Sequence, residues 1–189
     1  MHPGSAFPTH IRVTSPLATP DARLMARVAI FFAFAVLVHN ADHLRRGGDA
    51  VSAQVFWLGS GAIILEVGLV ALVFMRHAAV PLAAAIGGFA LASGYVFVHF
   101  TPARGWLSDS FLSGGASPIS WTAASLETIA ALTLSVAGAV VLQRRRSSAA
   151  HRRPVDIAGL RETLRHPVVG VMAVGNVLIF MLSFVERYA

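Results

Sequence analysis

Residues 24–44 read LMARVAIFFAFAVLVHNADHL. The run is entered through Arg23 and Arg27, carries no polar side chain between Val28 and Val38, and ends in His39, Asn40, Asp42 and His43. A segment of about 20 residues rising about 1.5 Å per residue is long enough for a hydrocarbon layer of about 30 Å. In that layer no water is available for the backbone, so every N–H and C=O must be satisfied within the segment, which makes it a helix. A signal-peptide core is the other reading of such a run, but no small-x-small cleavage site follows and further apolar segments do. The segment is therefore read as a retained transmembrane helix.

Four more apolar runs follow, at Val51 to Met75, Ala78 to Phe100, Ile119 to Leu142 and Val168 to Val185. The last is the shortest and has Asn176 near its middle. Over 189 residues, 56% are hydrophobic and only 13% charged, about half the charge of a water-soluble domain. The expected fold is an all-α integral membrane protein: a four-helix up-and-down transmembrane bundle over 23–143, with a fifth transmembrane helix over 167–189. A tail over 1–22, rich in Gly, Ser, Pro, Thr and His, is expected to be disordered. A basic segment over 144–166 separates the bundle from the fifth helix. Its Ile157, Leu160 and Leu164 fall at helical spacing beside Arg161 and Arg165, which predicts an amphipathic helix on anionic lipid along Arg144 to Arg165.

The net charge of +6 resides in arginine alone, since the chain has no lysine. Abundant Ala, Val and Gly with no Lys reads as the coding bias of a high-GC bacterial genome. Most arginines flank apolar runs, so they report topology and not a nucleic-acid surface. With the N-terminus in the cytoplasm, 11 arginines fall on the cytoplasmic side and 4 outside. The positive-inside rule then places the chain in the bacterial cytoplasmic membrane, N-in and C-out, with the bilayer as its first partner. The chain has no Cys, which excludes disulfides, thiolate metal sites and cysteine catalysis.

Ionisable side chains inside apolar helices are costly and mark a functional hypothesis. They are His39, Asp42 and His43 in the first helix, Glu66 in the second, His99 in the third and Glu127 in the fourth. Their depths differ, but Cα–Cβ bonds tilt toward helix N-termini. In antiparallel helices this leans the histidines and the glutamates toward one another, in the outer half. His39 and His43, four apart, share a helix face. Ser120, Ala124, Glu127, Ala131 and Ser135 form a small, polar stripe suited to a bundle interior, and Ala84, Gly88 and Ala92 form a ridge that permits close helix approach. Tyr95 lies on one face with His99.

Three readings of this constellation stand side by side. His39, His43, His99, Glu66 and Glu127 suit Zn, Cu or non-haem Fe ligated from facing helices, or His39 and His99 serve as axial haem ligands. Alternatively Glu66 and Glu127 form a proton-linked transport or channel pathway with the histidines as its entrance. The third reading is a structural polar cluster in a membrane-complex subunit or homo-oligomer. Asp42 is a supporting or surface group in the metal and haem readings. Outside this cluster, His77 beside Arg76 is interfacial, and His2, His10, His151 and His166 are solvated. Trp57, Trp106 and Trp121 fall at the outer boundary, where aromatic anchoring is common. The loop TPARGWLSDSFLSGGASP is apolar enough at Trp106, Leu107, Phe111 and Leu112 to fold back as a lid. Its Ser108, Asp109 and Ser110 lack a nucleophile turn, and no phosphate-loop or zinc-protease motif occurs.

HNADHLRRG at 39–47, VHFTPARGWLSDSF at 98–111, and Ser120-Trp121 with Glu127 six residues on resemble a group of small, uncharacterised multi-pass membrane proteins of high-GC bacteria. The likeness runs from Arg27 to Leu142. It implies a membrane location and the four-helix unit, and transfers no catalytic residue.

Overall fold

The computed structural model describes residues 19–102, 105–147 and 166–188. Among the described residues the fold has five α-helices: α1 (Pro20–Arg46), α2 (Ala53–Phe74), α3 (Val80–His99), α4 (Pro118–Ser147) and α5 (Pro167–Tyr188). No strand occurs among the described residues. All five are long and apolar enough to cross a membrane, so the chain is an all-α membrane protein. Outward-facing Ile64, Ile86, Phe89, Ile129, Val136 and Val174 are exposed, as befits side chains that meet lipid.

Helix α1 starts a turn ahead of the apolar run. Pro20 opens it and Thr19 caps it, its hydroxyl accepting from the Ala22 N–H at 3.2 Å, one of the four donors that a helix start leaves unpaired. The first arginines of the basic segment, Arg144 to Arg146, continue α4. There Arg144 pairs with Asp21 at 2.9 Å, and Arg145 donates to the Ala78 carbonyl in the α2–α3 turn at 3.0 Å. Residues 1–18 and 148–165 lie outside the described residues, as therefore do Ile157, Leu160 and Leu164.

Helices α1 to α4 form a ring in chain order, with α3 and α4 packed most extensively. The small-residue stripes explain that seam: a Cβ on Gly88 would stand 2.6 Å from the Ala131 carbonyl oxygen, and one on Gly138 2.6 Å from the Pro81 oxygen and the Ala85 nitrogen. The backbones touch, and the Ser135 hydroxyl donates across to the Ala85 carbonyl at 2.7 Å. Helix α5 packs on α1 and α2. Its buried Asn176 accepts from the Asn40 amide at 2.6 Å and donates to the Met172 carbonyl at 2.8 Å, so this polar residue serves helix association.

The bundle has two unlike ends. From Met25, Val28 and Phe32 across to Val70, Val73, Leu134 and Val141, the buried interior is apolar. The other end, where α1 and α3 finish and α2 and α4 begin, collects the buried His39, Asp42, Glu66, His99, Ser120 and Glu127.

Candidate metal centre

His39 and His43 lie on the inner face of the last turns of α1, and His99 is the last residue of α3. One ligand atom from each of the three imidazoles falls within 4.8 Å of the others. Ring centroids are 4.7 Å apart for His39 and His43, 4.9 Å for His39 and His99, and 5.9 Å for His43 and His99. The two helices had to converge for this, because four-residue spacing alone aligns only the first pair.

Around this group stand partners that decide which nitrogen of each ring is free. His39 Nδ1 meets Glu127 Oε2. His99 Nδ1 faces the Asp109 carbonyl at 3.3 Å and its carboxylate at 3.4 Å. An Nδ1–H given to an acceptor leaves Nε2 with a lone pair, and carboxylates in this role orient metal-ligating histidines. His39 Nε2 is buried and has no hydrogen-bond partner among the described residues. His43 differs: Arg46 donates to its Nδ1 at 2.8 Å, so the neutral ring carries its proton on Nε2.

The glutamates expected as ligands are both at this end but are turned to other partners. Glu127 is occupied by His39. Glu66 accepts from the Tyr95 hydroxyl at 2.5 Å, while its Oε2 is buried without a partner among the described residues. The haem arrangement does not fit. Two imidazoles bound to opposite faces of one iron have centroids about 6 Å apart, given metal–nitrogen bonds of about 2 Å. His39 and His99 are closer, edge to face, with His43 against both, and no porphyrin plane passes between them.

Three residues given small parts by the sequence hold the site together. Arg46, mostly buried, donates to both Asp109 carboxylate oxygens at 3.0 and 2.7 Å, ion-pairs with Asp42 at 3.3 Å and lies 5.5 Å from the Phe111 ring centroid. Asp42 is buried and takes two further bonds from Arg45 at 2.9 and 2.8 Å. Asp109 is the only acid in the α3–α4 loop, at the same end as two consecutive arginines, and that charge match was the available signal. The loop folds back chiefly by Phe111, whose ring is buried 4.8 Å from His99; Leu107 is half-buried, and Trp106 and Leu112 are exposed. His166, expected in solvent, stacks on Phe74 with centroids 4.0 Å apart. His77 sits in the α2–α3 turn, at the opposite end.

Burial alone would raise the Asp109 carboxyl, but hydrogen bonds from His99 and Arg46 and the Arg46 charge outweigh it and hold it well below the usual carboxylate range. A folded-state value below the unfolded one, about 3.9, stabilises the closed loop above that value. The gain disappears as pH falls through the depressed folded value. Amide exchange across 105–113, corrected for intrinsic rates, should therefore stay slow from neutral to mildly acidic pH. Asp109→Asn should speed it at neutral pH; unchanged exchange in that variant would show that the pairing does not hold the loop.

No protein-family model, curated protein or solved structure matches the chain. Function has to be read from these side chains.

Proposed function

We propose that the chain is a bacterial cytoplasmic-membrane protein that holds one transition-metal ion, Zn, Cu or Fe, through His39, His43 and His99, for redox chemistry or metal handling. The observation that carries this is the meeting of three imidazoles, His39 and His99 buried and His43 half-buried, the first two with Nδ1 turned to an acceptor so that Nε2 keeps its lone pair. Imidazole suits all three metals, and three histidines with one open position is the pattern of reactive sites. Glu127 and Asp109 act as orienting groups, and Glu66 supplies a carboxylate to offset the ion's charge.

His39 and His99 are pre-set. His43 joins when Arg46 releases its Nδ1 and stays with Asp42 and Asp109, which it already touches; the ring proton then moves to Nδ1 and frees Nε2. The positive-inside count supports a cytoplasmic N-terminus, which puts the site in the outer half of the membrane. The resemblance of 39–47 and 98–111 to membrane proteins of high-GC bacteria supports the same location.

Elemental analysis of the detergent-purified chain tests the reading. About one Fe, Cu or Zn per chain is expected in the wild type and in His77→Ala, with loss in His39→Ala. Wild type that neither retains an ion nor takes one up on titration with Zn, Cu or Fe, or that matches His39→Ala, would leave the cluster a structural one.

A further inference from the structure

The histidine cluster forms one end of a cavity of about 540 Å³ between α1, α2, α3 and α5. That volume lies in the range of small-molecule sites, roughly 300 to 1,000 Å³. Its walls are unusual for the glycines they carry. Glycine in a membrane helix ordinarily lets a neighbouring backbone approach, as Gly88 does, yet a Cβ on Gly59, Gly61 or Gly94 would meet nothing within 4 Å. These glycines line the cavity and are exposed, so the space between α2 and α3 opens sideways, to the face where a bilayer lies. Phe56, Trp57 and Phe180 form an aromatic wall, with Phe56 and Phe180 stacked at 5.6 Å.

The polar end contrasts with these apolar walls. His39 Nε2 and Glu66 Oε2 are buried there and have no hydrogen-bond partner among the described residues, in residues at most 4% exposed. With its Nδ1–H given to Glu127, His39 offers Nε2 as an acceptor, whereas Glu66 Oε2 accepts as a carboxylate and donates as a carboxylic acid. Leaving such atoms unpaired at the end of an apolar chamber costs about 1 to 3 kcal/mol each, and a hydroxyl, which both donates and accepts, answers both of them.

From this we infer that the cavity binds a membrane-dissolved amphiphile through a terminal hydroxyl, entering from the bilayer between α2 and α3. Without an ion the hydroxyl lies between His39 Nε2 and Glu66 Oε2; where an ion takes Nε2, the hydroxyl lies at the ion's open position beside Glu66, and in both cases the apolar body runs along the glycine walls. Placement at the ion rests on the metal reading; the chamber and its portal do not. A quinol ring and an isoprenoid alcohol share this chemistry.

Equilibrium binding to the full chain in nanodiscs, with uptake by empty nanodiscs subtracted, separates the cases. The probes are tritiated decyl-benzoquinol, kept reduced, and tritiated farnesol. Saturable uptake of one or both, near one per chain, is expected; which probe binds identifies a ring or a chain. Gly94→Leu on α3 and Gly59→Leu on the Glu66 face of α2, both at positions where an added Cβ meets nothing within 4 Å, should each weaken it about tenfold or more while keeping helicity and metal content. Uptake no greater than that of empty nanodiscs, or equal uptake in both filled variants, overturns the proposal. Saturable binding to a chain without metal would retain the amphiphile site and remove the ion from it.

Discussion

Replacing Gly88 by Val is expected to force α3 away from α4 and to lower stability by about 3 kcal/mol or more. Overpacking a well-filled core ordinarily costs about 1 to 3 kcal/mol, because flexible side chains absorb part of the strain. Here the obstacles are backbone atoms, the Ala131 oxygen at 2.6 Å and the Ser135 nitrogen at 2.8 Å from the added Cβ. No rotamer change relieves that. The helices must part, which also breaks the Ser135 to Ala85 bond. Thermal unfolding in detergent, followed by size-exclusion recovery, should show Gly88→Val strongly depleted and Gly94→Val close to wild type. Equal recovery of the two would mean that the seam is not in contact.

The second large effect is expected at Glu127. Glu127→Leu removes the acceptor of the His39 Nδ1 proton, leaving the ring free to choose the other tautomer and to rotate. Loss of such an orienting carboxylate weakens metal binding by about 10- to 100-fold. Glu127→Gln keeps an amide oxygen that accepts the same proton but gives up the charge, so its loss should be smaller. Metal titration of the three proteins, with the His39 tautomer read from its nitrogen resonances, separates orientation from charge. Wild-type affinity in Glu127→Leu would remove Glu127 from the site; a greater loss in Glu127→Gln than in Glu127→Leu would argue against orientation as its role.

The five helices were legible because hydrocarbon leaves a chain no other choice, and the length of each apolar run is visible residue by residue. The histidines were legible for a related reason: an ionisable group in such a run has no lipid-facing explanation. What a sequence does not carry is which atom meets which. The expectation that Glu127 is a ligand rested on the tilt of its side chain toward the histidines and on the polar stripe of α4, and its engagement by His39 Nδ1 is decided by rotamers and a shared face. Arg46 and Asp109 lie 63 residues apart, and only closure of the loop over His99 joins them. The glycines are the clearest case. Gly88 stands in the small-residue ridge with Ala84 and Ala92 that marks a close approach, but nothing local shows that Gly94, six residues on, borders a void. That void lies where α2 packs lightly on α3, a property of the whole packing.

The apolar interior at the far end of the bundle also sets what the protein does to the membrane around it. Buried carboxylates and imidazoles at one end would make a leak if polar groups continued past them, but Phe32, Val70, Leu134 and Val141 offer a proton or hydrated ion no foothold, at a cost of many kcal/mol for an unpaired charge. Among the described residues this apolar half separates the histidines and carboxylates from the opposite end of the bundle, so a proton exchanged with them would enter and leave on the same side.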